Sequence, residues 1–233
     1  TMKTLLILLL LFHLLGDFYM QCDDFCKAKN DKGFLSWQLY VHALIMAICT
    51  WLANPILSFV WPALIIGVSH LVIDGLKSYL KNWRYAFWID QLLHIVLLVC
   101  VSYWYRGNAS CFPISDPDMF RYIVLATSVL FLLKPTNIII NQIFKAFKLQ
   151  LGVDGNANES LLLAGHVIGG VERLMVFVFV MLGEYEAIGF LIAAKSILRF
   201  KETDTAKTEY VLVGTLLSFM FAIMVALITK YVI

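Results

Sequence analysis

The chain has 233 residues, 61% hydrophobic and 15% charged. Soluble domains are about 45–50% apolar and about 25% charged, because a single core must still be covered by a polar outside. With a mean hydropathy of +0.82, the composition disfavours a soluble enzyme, a disordered chain or a secreted disulfide scaffold. It indicates a polytopic membrane protein. The net charge of +2 says little about partners.

The first apolar run, residues 5–20, follows Lys3 and has the outline of a signal peptide. His13 and Asp17 interrupt it and no small-x-small cleavage site follows, so it is expected to remain as a helix. Hydropathy and length predict about eight membrane helices (range 6–8), an all-α bundle, over 4–21, 37–54, 56–80, 86–106, 119–134, 161–182, 185–200 and 209–232. Pro55, Pro113, Pro117 and Pro135 fall at or near expected connections, and Pro62 falls early in the third helix. Residues 137–150 alternate isoleucines and phenylalanines with Lys145 and Lys148, the pattern of an amphipathic helix lying at the interface. Residues 152–160 are a polar loop. Two parts of one membrane domain are expected, 1–108 with a four-helix bundle and 109–233 with the remaining helices. The cysteines at 22, 26, 49, 100 and 111 are odd in number and make no disulfide framework. Cys22 and Cys26 stand one turn apart without the second pair a zinc knuckle needs.

Basic residues orient the bundle. Eight helices put Lys27, Lys29, Lys32, Lys77, Lys81, Arg84, Lys134, Lys145, Lys148, Lys195, Arg199, Lys201 and Lys207 on one side. The other side receives Lys3, Arg106, Arg121 and Lys230, thirteen against four. Both termini are therefore expected on the non-cytoplasmic side, with the loops 22–36, 81–85, 135–160 and 201–208 in the cytoplasm.

Ionisable groups at membrane depth are costly and are candidates for function. The first four helices carry His13 and Asp17, then His42, then His70 and Asp74, then Asp90 and His94. Three of these helices space His and Asp by four, which puts both on one helix face. In antiparallel order all seven groups fall at one depth, in the cytoplasmic leaflet. Facing helices in bundles build metal sites in this way. Imidazole and carboxylate donors suit zinc or another divalent ion, one or two of them, with some aspartates orienting a histidine. Hydrogen-bonded His–Asp pairs that join helices, or a proton path, are the alternatives. In the second half, Gly165, Gly169 and Gly170 permit close helix approach around His166, and Glu172 and Arg173 follow. Lys195 and Arg199 share a face near Glu202, Glu209 and Tyr210. They either snorkel to headgroups or hold an anionic substrate, with Lys77 and Arg173 as further contributors.

The motifs HLLGDFYMQ, HLVIDGLKSYL, FWIDQLLH, VERLM and AAKSILRFKE resemble, in this order and along essentially the whole chain, the bacterial membrane family called domain of unknown function 3307. The matching positions are His13, Asp17, Gln21, His70, Asp74, Lys77, Asp90, Gln91, His94, Glu172, Arg173, Lys195 and Arg199. The resemblance implies a multi-pass protein of the bacterial inner membrane and no particular activity. The early histidines and aspartates are similar in style to membrane-bound metal-dependent hydrolases.

The leading expectation is a metal-dependent hydrolase acting on a lipid or other anionic membrane substrate. His13, His42, His70 and His94 with Asp17, Asp74 and Asp90 would form the metal set, and Asp90 and Glu172 would serve as proton-transfer groups. Lys77, Arg173, Lys195 and Arg199 would bind the substrate. A proton- or divalent-metal-coupled transporter and a non-catalytic subunit of an envelope complex are the alternatives. Basic loops are explained by sidedness, so no nucleic-acid partner is expected.

Overall fold

A computed structural model describes residues 2–80, 83–105, 117–147, 159–199 and 205–233, except for the side chains of 159–164, 198–199 and 205–209. Pro113, Cys111, Arg106, Lys81, Lys148, Lys201 and Glu202 lie outside the described residues, as do the side chains of Arg199, Lys207 and Glu209. The described residues are helical, with no strand among them. The helices are α1 (Met2–Leu14), α2 (Asp23–Lys32), α3 (Trp37–Ala53), α4 (Val60–Tyr79) and α5 (Ala86–Trp104). They are followed by α6 (Pro117–Ala146), α7 (Glu159–Leu182), α8 (Tyr185–Arg199) and α9 (Thr205–Val232).

Six helical stretches are long and apolar enough to cross a membrane. The bent pair α2 and α3, 106° apart, makes a seventh if taken as one span. The protein is thus an all-helical, multi-pass membrane bundle. The eight expected helices all exist as α1 and α3–α9, but α3 has 17 residues and α8 has 15. These lengths reach about 25 and 22 Å, against a hydrocarbon core of about 30 Å.

The chain forms two compact units, Thr1–Thr127 and Ser128–Ile233. In the first, α1, α3, α4 and α5 close a ring of neighbours, α1 on α3, α3 on α4, α4 on α5 and α5 on α1. Small residues set the spacing where Gly67 of α4 faces Ala43 and Ala47 of α3. One end of this ring is an apolar core built on Leu5, Leu9, Phe59, Ile66 and Leu98. The outside is apolar as well. Leu44, Val68 and Val96 are exposed on the same helices that bury His42, His70 and His94. An apolar exterior around polar interior side chains inverts the soluble pattern and fits a lipid surround.

Two sequence expectations need correction. Residues 22–36 are not a loop. Asp23 and Asp24 occupy the first turn of α2 and Lys29 and Lys32 the last, which matches the helix dipole. Gly33 then takes a φ of 53°, a left-handed conformation that favours glycine, and a Cβ there would strike Ser78. Nor does a helix end at Pro135, with a separate amphipathic helix beyond. α6 runs through to Ala146 with Pro135 inside. A proline removes the amide that would donate four residues back, here to the carbonyl of Phe131. Thr136 Oγ1 donates to that carbonyl at 2.8 Å. Arg173 of α7 donates from Nε to the next carbonyl, Leu132, at 2.6 Å, and from one terminal nitrogen to Leu133 at 3.2 Å. Its guanidinium also donates to Asn137 Oδ1 at 2.7 Å and Ser218 Oγ at 2.9 Å. Side chains thus supply donors around the turn that the proline disturbs, and the helix continues.

Candidate metal centre

The other end of the first unit's ring is polar. α1 and α4 run toward it, and α3 and α5 start from it. Four residues is close to one turn, so each His–Asp pair contributes to two tiers. Asp17, Asp74 and Asp90 form an outer tier near the helix ends. His13, His70 and His94 form an inner tier one turn deeper. Asp17 sits in a π-helical turn, Leu15–Tyr19, that continues α1. Single π turns occur often at functional positions. Gly16 on that turn has no room for a Cβ beside Met46 of α3, so the turn packs close.

The three inner rings touch. Ring centroids of His13 lie 5.3 Å from His70 and 5.6 Å from His94, and His70 stacks on His94 at 3.8 Å and 9°. All three residues are buried, His70 and His94 at 1% exposure. Both ring nitrogens of His13, both of His94 and Nδ1 of His70 have no hydrogen-bond partner. Buried polar atoms without partners cost about 1–3 kcal/mol each, so five on three neighbouring rings need a physical explanation. One donor atom from each of these residues lies within 4.8 Å of the others. In a tetrahedral site, ligands about 2.0–2.1 Å from zinc stand closer than that. Coordination by both His70 and His94 therefore turns one ring out of the parallel stack, because parallel rings aim their lone pairs along parallel lines.

The outer tier is partnered. His42 Nε2 donates to Asp17 Oδ1 at 3.0 Å and lies 3.4 Å from Asp74 Oδ2. Gln21 Nε2 lies against the His42 ring, 2.6 Å from Nδ1 and 2.9 Å from Nε2. Gln91 Nε2 reaches Asp17 and Asp90, each at 3.2 Å. Lys77 Nζ donates to Asp90 Oδ2 at 2.7 Å, whereas Asp90 Oδ1 is buried without a hydrogen bond, 4.0 Å from His94 Nδ1. Lys29 Nζ donates to Asp74 Oδ2 at 2.5 Å. Two further ligand groups join the tiers, Asp17 with His42 and His70, and Asp74 with Asp90 and His94.

All seven sequence-expected ligands therefore meet in one cluster. Lys77 is in the cluster as the partner of Asp90. Lys29 was missed, because it was counted as a loop positive charge. The signal for it was the spacing 22, 26, 29 and 33, a helical face whose Cys26 and Lys29 both donate to Gln21 Oε1.

In the second unit, Lys195 Nζ donates to Glu172 Oε2 at 2.5 Å. Arg173 is buried and spends its guanidinium on the four groups of α6 and α9 named above. His166 is exposed. The ring of Tyr210 packs tilted against Phe144, with centroids 4.4 Å apart.

A family model, described as a protein of unknown function (DUF3307), matches residues 5–120. Over these residues the chain belongs to the DUF3307 family. The match contains the whole His/Asp cluster and both lysines of the outer tier. It ends before Glu172, Arg173, Lys195 and Arg199, so the resemblance drawn over essentially the whole chain rests on the family model only for its first half. No curated protein and no solved structure matches the chain.

Proposed function

We propose that the N-terminal bundle is a divalent-metal centre and that the protein is a membrane-embedded metal-dependent hydrolase acting on a lipid or other anionic membrane substrate. The observation that carries the reading is the inner tier, with three buried, adjacent imidazoles and five ring nitrogens that make no hydrogen bond. Three histidine ligands leave a fourth position of a zinc ion open to water. Zinc held there would bring the pKa of a bound water close to neutral, and Asp90, whose Oδ1 makes no hydrogen bond, would accept the proton. The water oxygen would then bond to the acyl carbon or phosphorus of an ester as the bond to the leaving oxygen breaks, and that oxygen would receive the proton.

Charge supports an ion of positive sign. Asp17, Asp74 and Asp90 bring three negative charges and Lys29 and Lys77 return two, so with neutral histidines the buried cluster keeps one negative charge. Location supports a membrane substrate, since lipids reach such a site laterally. The basic-residue count supports the cytoplasmic leaflet of a bacterial inner membrane, with both termini outside. The test is release of headgroup or acyl chain from phospholipid vesicles carrying the purified protein. The reading predicts turnover that a chelator abolishes, zinc restores and Asp90→Asn removes. Chelator-resistant turnover contradicts it.

One observation favours a second reading, transport of a divalent ion. The three ligand groups overlap, sharing His70 and His94, and so form a continuous series from the outer tier to the inner. Intramembrane His/Asp series also serve as ion paths. Zinc uptake into sealed proteoliposomes, without lipid turnover, would select this reading over hydrolysis.

A further inference from the structure

α2 lies across the polar end of the ring, against α3 and α4. Ten residues long, it is polar, with the sequence DDFCKAKNDK. A helix that docks by the hydrophobic effect buries an apolar stripe. Here the one buried residue of α2 is Lys29, at 5% exposure. Its ammonium contacts Asp74 Oδ2 at 2.5 Å and Gln21 Oε1 at 3.4 Å, with His42 Nε2 against the same carboxylate oxygen. A buried salt link thus helps seat this helix, beside the half-buried Phe25, whose ring meets Trp37 of α3 edge-on at 6.0 Å. The turn at its end is tightly fitted, with Gly33 against Ser78 and Phe34 against Gly75.

We propose that Lys29 is a built-in cation of the outer tier. It holds the place that a second divalent ion would take among Asp17, His42 and Asp74, and so limits the centre to one ion, in the inner tier. The ammonium contacts Asp74 Oδ2 and Gln21 Oε1, and His42 Nε2 links that carboxylate oxygen, at 3.4 Å, to Asp17 Oδ1, at 3.0 Å; two neighbouring carboxylates and an imidazole suit a divalent ion of the zinc type. An ammonium and a divalent ion cannot share Asp74 Oδ2 at bonding distance, because the two charges would repel in a site of low dielectric. This inference deepens the metal-centre reading and rests on it.

The experiment is metal content per chain, measured by mass spectrometry on the full-length protein after zinc saturation and removal of unbound zinc. One ion is expected for the wild type, two for Lys29→Ala and one for the double variant K29A/D74N, in which the outer tier is broken. Lys29→Met, which keeps the apolar stem, replaces the alanine variant if the latter does not fold. Lys29→Arg keeps a cation and is expected to hold one. A wild type that saturates at two ions overturns the proposal without any variant. A count of one in both the wild type and Lys29→Ala overturns it too, and leaves the inner-tier centre standing. No ion in the wild type overturns both.

Discussion

Arg173→Met separates two roles for the most deeply buried cation among the described residues of the second unit. The substitution keeps the apolar stem and removes the guanidinium. Four hydrogen bonds are lost, to Leu132 O, Leu133 O, Asn137 Oδ1 and Ser218 Oγ. Side-chain hydrogen bonds between membrane helices contribute about 0.6 kcal/mol on average and about 1.7 kcal/mol at most. Four such bonds come to about 2 kcal/mol at the average and about 7 kcal/mol at the most. The upper part of the range applies if the carbonyls beside Pro135 find no other donor. For a chain of this size, about 2–4 °C of melting temperature accompany each kcal/mol, so the average loss should lower the midpoint by about 5–10 °C. The assay is thermal or denaturant unfolding of the purified protein in bicelles, followed by helical circular dichroism. Pro135→Ala, which restores a backbone donor to the turn, should recover part of the loss in the double variant. Unchanged stability with weakened substrate binding would refute the structural role and return Arg173 to the substrate-binding set.

Other outcomes follow from the bundle. Gly75→Ala should destabilise the first unit by about 1–3 kcal/mol, because its Cβ would drive into the Phe34 ring, and a thermal melt reads this. Reporter fusions at both ends should place the termini on the same, non-cytoplasmic side, as eight crossings require. Termini on opposite sides would mean that α3 or α8, the two short helices, does not cross.

The cluster was legible in the sequence because its pattern is local. A four-residue His–Asp spacing fixes a face, and alternating helix direction fixes a shared depth. His13, His70 and His94 could be brought together on those grounds alone. Lys29 could not, since its partner Asp74 lies 45 residues away and a polar decapeptide between two apolar runs reads as a loop. Pro135 misled for a related reason. The propensity rule for proline is local, whereas its compensation comes partly from Arg173, 38 positions further along the chain and on another helix. Arg173 and Glu172 were read together as functional, but adjacent helix residues point about 100° apart. One donates to α6 and α9, and the other pairs with Lys195.

X-ray absorption at the zinc edge of the purified, zinc-loaded protein tests the inner tier most directly. One zinc per chain is predicted, with histidine scattering at Zn–N distances of about 2.0–2.1 Å, and loss of that signal in the variant with His13, His70 and His94 all changed to alanine. A wild-type chain without stoichiometric metal, whose melting temperature a chelator leaves unchanged, would contradict the metal centre.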